Sequence, residues 1–192
     1  MINPVPTTAP RTRTGRRLTC WGVAALVSLG LIGCGQPAPS PAAGQWQLEA
    51  VQASGAAPLA PQQVARPRSG TWMIEDQGAS QGTAVILLGH LDTVVFQLPE
   101  KFKAGEYTVS VIGRGELYLG APIIALRDGS GLTLGTATLD NTAYDRRTIG
   151  RVSLQPGQTL TLAFLNDEYR GPGEDRNAVI DFLLINQSKS GK

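Results

Sequence analysis

Four acids, Asp167, Glu168, Glu174 and Asp175, lie close together in the stretch FLNDEYRGPGEDRNAVIDFLLI (164–185), accompanied by Arg170 and Arg176. Carboxylates held that near each other repel unless a cation sits among them. Hard cations such as Ca²⁺ take oxygen ligands from carboxylates, backbone carbonyls, Asn side chains and water. The stretch supplies Asn166, Asp167, Glu168, Glu174, Asp175 and Asn177, with Gly171 and Gly173 free to turn the backbone inward. The acids do not alternate as a twelve-residue EF-hand loop requires. The plain alternative is a solvated acidic turn with Arg170 and Arg176 as its partners. Further along, Asp181 stands among Val179, Ile180, Phe182, Leu183 and Leu184. Such a strand is either covered on both faces, in which case an ionised carboxylate must be paired or ligated, or an edge strand that turns Asp181 to water.

Other chemistries fit the chain poorly. His90 is the single histidine, so any nucleophile–histidine arrangement would rest on it. It lies in LLGHLDT, between two strand-like segments, and reads as a turn residue. Zinc sites draw on Cys and His, which are scarce here. No glycine-rich phosphate loop follows a strand and opens a helix. Paired carboxylates can hydrolyse glycosides, which keeps a hydrolase as a third reading, but a domain this small more often binds a sugar than cleaves one.

The elements that must position these acids read as strands. DTVVFQL (92–98), EYTVSVI (106–112), GRVSL (150–154) and QTLTLAF (158–164) are short, partly alternating and rich in β-branched residues. TAVILL (83–88), PIIAL (122–126) and AVIDFLLI (178–185) are more continuously apolar. Ala104-Gly105, Asp128-Gly129, Gly131 and Pro156-Gly157 punctuate them. No segment holds a 3.6-residue period, and the pattern predicts a single all-β domain, an antiparallel β-sandwich over residues 45–188, with 189–192 as a tail. Residues 53–70 read as a loop crossing one end. Trp46 and Trp72 read as core or sandwich-edge residues.

The N-terminus has a separate logic. Arg11, Arg13, Arg16 and Arg17 precede the apolar stretch LTCWGVAALVSLGLIG, as in a secretory signal over residues 1–33. The stretch is short for a membrane span. LIGC (31–34) resembles a bacterial lipobox, which implies cleavage before Cys34 and a diacylglycerol anchor on its sulfur. Residues 34–44, with GQPAPSPAAG behind the cysteine, read as a semi-extended tether. The whole chain has 17 Lys and Arg against 15 Asp and Glu. Removing the four signal arginines leaves 13 against 15, a net charge of −2. The basic balance therefore belongs to the export signal and argues for no nucleic-acid partner. Cys20 leaves with the signal and Cys34 would be lipidated, so the mature chain keeps no free thiol and no disulfide.

The C-terminal stretch resembles the last two strands and intervening loop of calcium-dependent xylan-binding modules, the carbohydrate-binding modules of families 60 and 36. Phe164, Asn166, Asp167, Asp175, Arg176, Asn177 and Asp181 match their pattern. AGEYTVSVIGRGELYLGAPIIAL (104–126) is similar to their strand pair, and WQLEAV (46–51) to their opening strand. The resemblance implies a jelly-roll sandwich in which Asp167, Asp175 and the backbone carbonyl of Glu174 ligate a calcium ion that meets the sugar. A second, structural calcium would use Glu49 and Asp181. The carbohydrate would touch Asp167, Tyr169, Asp175 and Asn177. Two positions depart from the pattern: Val51 stands where a further acid is usual, and Glu174 where an aromatic often precedes the Asp-Arg pair. Tyr169, Tyr144 or Tyr118 could supply that ring.

The expectation is thus a non-catalytic, monomeric envelope lipoprotein, held to a membrane by lipid and facing the periplasm or the exterior. It would bind xylan or a similar β-linked polysaccharide through calcium. The alternative is a structural or protein-interaction lipoprotein that keeps the sandwich and has lost sugar binding. An aromatic platform beside Asp167 and Asp175 would favour the first; a loop closed by arginine salt bridges would favour the second.

Overall fold

The computed structural model describes residues 44–59 and 67–188. The signal, Cys34, the tether up to residue 43, part of the 53–70 segment and the 189–192 tail lie outside the described residues.

Twelve strands are present among the described residues: β1 Gln45–Glu49, β2 Ala57–Pro58, β3 Thr71–Glu75, β4 Thr83–Leu87, β5 Thr93–Gln97, β6 Gly105–Glu116, β7 Ile123–Asp128, β8 Thr133–Thr138, β9 Asp145–Leu154, β10 Thr159–Phe164, β11 Glu168–Gly171 and β12 Glu174–Gln187. A short 3-10 turn, Ala50–Gln52, follows β1. The larger sheet runs β2-β3-β4-β12-β6-β9, with β1 and β11 also paired to β12; the smaller runs β5-β10-β7-β8. All pairings are antiparallel except β2 with β3. The expected all-β jelly-roll sandwich is borne out. The segment expected to be a crossing loop contributes the two-residue strand β2.

Alternation in the small sheet sends Val94, Phe96, Ile124, Leu126, Leu160, Leu162 and Phe164 inward. They meet Val85, Leu87, Val109, Val111, Ile180, Leu183 and Ile185 of the large sheet in one core. Trp46 sits at the edge of this core, its ring centroid 5.3 Å from that of Phe102. A second apolar cluster, Ala79, Ala84, Ile86, Leu88 and Val179, lies on the outer face of the large sheet with Trp72, Ile74 and Tyr144 packed against it.

β12 is the spine of the large sheet and explains the apolar run with an acid in its middle. Residues 178–180 pair with β4 and residues 182–186 with β1, so the neighbour on that side changes at Asp181. On the other side, the register with β6 shifts between Ile180 and Phe182. A bulge adds one residue and resets the alternation. Ala178 and Ile180 before it, and Leu183 and Ile185 after it, therefore all face the core. Asp181 falls on the outer side, as Val179 does. It is 3% exposed, which excludes an edge strand open to water.

Candidate metal and ligand site

The acidic stretch folds as the hairpin β11–β12. Gly171-Pro172-Gly173-Glu174 makes its turn, with Pro at the second position and Gly173 at φ +84° at the third. Those residues suit a turn that needs a fixed φ followed by a left-handed one. Glu168 pairs with Arg176 and Tyr169 with Asp175. Continued by one residue, this register sets Asp167 opposite Asn177. Since opposed residues share a face and neighbours alternate, Asp167, Tyr169, Asp175 and Asn177 occupy one face. Glu168 and Arg176 occupy the other. The four residues expected to meet carbohydrate are thus brought together, while Glu174 is exposed at the turn, opposite Gly171.

The shared face is rich in oxygen and short of donors. Asn177 is fully buried, and its Nδ2 donates to Glu116 Oε2 at 2.8 Å and to Asp175 Oδ2 at 3.0 Å. Both amide hydrogens are engaged, so Oδ1 is left as an acceptor. Asn177 Oδ1, Asp175 Oδ1 and Asp167 Oδ1 are all buried and have no hydrogen-bond partner. Burial first and the charge of Asp175 second raise the Asp167 carboxyl above its ordinary value; Asp92 adds to the rise, while Arg176 and the Glu168 N–H oppose it. Buried acceptors without donors are rare and destabilising, and a hard cation is the partner their chemistry asks for. These oxygens are of the type calcium takes, although no three Asp, Glu, His or Cys side chains converge as a metal cluster among the described residues.

The arginines do not close the loop over these acids. Arg170 reaches Glu168 at 3.7 Å, and Arg176 Nε is itself buried without a partner. Nor is there an open aromatic platform at Tyr169, because the Arg68 guanidinium lies 4.9 Å from its ring centroid. Tyr144 is engaged elsewhere. Its hydroxyl donates to Asp76 Oδ2 at 2.9 Å and Arg114 lies 5.7 Å over its ring.

Surrounding loops are tied to the hairpin. Asn166 accepts from the Ile123 N–H at 2.6 Å and donates to the Ala121 carbonyl at 3.0 Å, fixing the β6–β7 loop. The Leu91 N–H donates to the Phe164 carbonyl at 2.7 Å. Asp92 is held by the N–H groups of Gly70 and, at 2.6 Å, Gly89. His90 is exposed in that turn, as its sequence context predicts.

The second pair is also brought together. Glu49 is opposite Phe182, and it and Asp181 act on the same region: burial raises both carboxyls, and the charge of Asp181 further raises Glu49. Yet their oxygens are supplied with donors. Ser80 gives Asp181 its N–H and its hydroxyl, each at 2.9 Å, and Gln47 Nε2 donates to Glu49 Oε1 at 2.6 Å. No oxygen of this pair is among the buried acceptors without a partner. The hairpin therefore fits a cation better than the β1–β12 pair does.

Sequence reading missed Glu116, Asp92 and Ser80. Glu116 looks like an ordinary strand-end acid in GRGELYLG, and only its register opposite Asn177 brings it to the site. Ser80 lies 101 positions from Asp181.

Comparison with known proteins bears on this hairpin. Residues 108–192 match the family model of the calcium-dependent, xylan-binding carbohydrate-binding modules, family 60. The resemblance drawn from the loop residues is borne out, and the matched stretch takes in β6 from Thr108 onward and β7 to β12. No curated protein matches the chain. Among solved structures, the first family 36 module of a multidomain xylanase, from the hindgut metagenome of Trinervitermes trinervoides, is 19% identical with a TM-score of 0.54, covering 76% of this chain and 99% of that one. A family 36 module in complex with calcium and xylotriose is 18% identical with a TM-score of 0.52, covering 73% and 99%. A Podospora anserina β-(1,4)-mannanase with a family 35 module is 17% identical with a TM-score of 0.56, covering 78% of this chain and 29% of that one. At these identities the likeness shows the fold alone.

Proposed function

We propose that this chain is a non-catalytic envelope lipoprotein whose module binds xylan or a similar β-linked polysaccharide through calcium on the β11–β12 hairpin. The observation that carries this reading is the set of buried, unpartnered oxygens on Asp167, Asp175 and Asn177. Asp167 and Asp175 would ligate the ion through side chains and Glu174 through its carbonyl. When bound, calcium supplies open coordination positions that two neighbouring sugar hydroxyls can fill. Asn177 positions Asp175 by its 3.0 Å hydrogen bond and is itself held by Glu116. A second calcium on Glu49 and Asp181 has weaker support, since Ser80 and Gln47 already serve those oxygens. Cys34 would carry the lipid anchor, and the module would act as a monomer.

The match to a binding-module family supports the non-catalytic reading. One observation favours the alternative, a structural lipoprotein without sugar binding: the Tyr169 ring is occupied by Arg68. Isothermal titration of the protein against a polysaccharide panel, in calcium and in chelator, decides between them. Binding that appears with calcium and vanishes with chelator is expected. A chain that binds calcium but no glycan would hand first place to the structural reading. For the anchor, Cys34→Ala should give an unprocessed or mislocalised product, and wild-type processing with wild-type detergent partitioning would refute it.

A further inference from the structure

Arg68 behaves unlike the other arginines that stand near acids. Arg114 pairs with Asp76, Arg147 with Asp140 and Asp145, and Arg170 reaches Glu168. Arg68 is exposed and forms no ion pair among the described residues. Its guanidinium lies instead 4.9 Å from the centroid of the Tyr169 ring. Tyr169 is opposite Asp175, on the face shared with Asp167 and Asn177, while Arg176 is on the other face. This cation is therefore on the side of the hairpin that bears the buried, unpartnered oxygens.

The chain that carries Arg68 is fixed to the same region. The Gly70 N–H donates to Asp92, whose charge acts on Asp167, and the Gly70 carbonyl accepts from the Leu88 N–H at 3.2 Å. The Ser69 carbonyl accepts from Trp72 Nε1 at 3.0 Å. Ser69 also packs against Gly89, where an added Cβ would come within 2.8 Å of the Ser69 Cβ. The side chain thus reaches Tyr169 from an anchored backbone. A guanidinium stacked on a ring uses its flat face, which makes no hydrogen bonds. Its N–H groups point outward in the plane, where a carboxylate can take two of them in parallel. Calcium on Asp167 and Asp175 would offset the charge of both acids, so an anionic ligand would meet calcium and Arg68 rather than two bare carboxylates.

We infer that Arg68, held on Tyr169, is a specificity-determining residue that recognises the carboxylate of a uronic-acid branch on a β-linked xylan chain. This rests on the calcium-dependent binding proposed above and names its substrate class, an acidic xylan rather than a neutral one. Two neighbouring hydroxyls of one backbone unit meet the ion, and the carboxylate carried by an adjoining unit meets the edge of the guanidinium. The planar fork of arginine matches a planar carboxylate, which the point charge of a lysine does not. The contact that withholds the Tyr169 ring from a neutral sugar thereby holds the cation ready for a charged one.

The test uses the full chain in detergent and saturating calcium, with three ligands titrated in turn: xylohexaose, a xylo-oligosaccharide of the same length bearing one glucuronate, and that branched ligand with its carboxyl reduced to the alcohol. The wild-type chain should bind the glucuronate-bearing ligand about fivefold more tightly than either neutral one, the scale of a single exposed ion pair. That preference should fade in about 1 M salt. Arg68→Gln should abolish the preference and Arg68→Lys should keep part of it. Tyr169→Phe, which retains the ring, should keep the preference, and Tyr169→Ala should lose most of it. A uronate can also ligate calcium directly, so a wild-type preference persisting in Arg68→Gln overturns the assignment to Arg68. Equal affinity of the wild-type chain for all three ligands overturns the acidic class and leaves the calcium-bridged reading standing. A wild-type chain that binds calcium and none of the three overturns both.

Discussion

Asp76 and Asp167 are both partly buried loop carboxylates, and their surroundings push them in opposite directions. Asp76, between β3 and β4, receives Arg114 Nε at 3.0 Å and Nη2 at 2.8 Å, the Tyr144 hydroxyl at 2.9 Å and the Gly78 N–H at 3.0 Å. Burial alone would raise its carboxyl, but Arg114, the Gly78 N–H and Tyr144 outweigh it and bring it below the ordinary value. Asp167 has burial and Asp175 against it, and an oxygen with no donor. One acid completes a charge-assisted network within the protein. The other is left incomplete by the same fold, with an acceptor that the chain's own donors do not serve.

The largest effect that would sharpen this contrast is at the hairpin. Asp175→Ala removes, from outside the core, an oxygen proposed to ligate calcium, so calcium-dependent glycan binding should fall to background while the circular dichroism spectrum stays that of a β-sandwich. Calcium-dependent binding surviving in that variant would break the comparison. Next, the full chain should melt higher in calcium than in chelator, since a ligand at a hundredfold excess over its Kd adds about 2.7 kcal/mol to stability. Equal melting temperatures by scanning calorimetry would count against any site of useful affinity.

Asp76→Ala should do the reverse of Asp175→Ala. It leaves the Tyr144 hydroxyl without its acceptor and Arg114 with only the Glu116 carboxylate, 3.8 Å away, for a loss of about 2 kcal/mol in denaturant midpoint experiments, with calcium affinity unchanged. The two acids should also separate with pH. Because the folded value of Asp76 is depressed, its contribution is fully present above the unfolded value near 3.8 and fades as pH falls through the lower folded value. Asp167 is raised, so in chelator it weakens the fold above pH 3.8, fully so once pH exceeds its folded value, and ceases to do so below 3.8. The smallest effect follows: Asp167→Asn in chelator should melt slightly higher than wild type at pH 7, with the gain gone below pH 3.8. A lower melting point at pH 7 would mean that the Glu168 N–H and Arg176 outweigh burial and the charge of Asp175.

Much of the hairpin was legible in the sequence. Clustered acids with Asn and Gly predict an oxygen-rich loop, and the structure puts Asp167, Tyr169, Asp175 and Asn177 on one face. Strands β4, β5, β7 and β10 fall within a residue or two of the segments read from alternation and apolar runs. β3 and β8 went unread: TWMIE has only five residues, and TLGTAT is dominated by Thr and Gly and carries little apolar signal. β9 runs further than predicted, back to Asp145, because it pairs with β6 as far as Gly113, and β6 continues to Glu116 because β12 pairs with it there.

By itself, then, the sequence determined the strand-rich class, the acids able to hold a hard cation and the likeness to calcium-dependent xylan-binding modules, because residue type and local spacing carry that information. Which acids find donors was decided by tertiary structure alone. Ser80 reaches Asp181 across 101 positions, Arg114 reaches Asp76 across 38, and Glu116 meets Asn177 across 61. Hydrogen bonds saturate, so a carboxylate's character depends on which distant groups the sheet register delivers to it, and register is a property of the paired strands together.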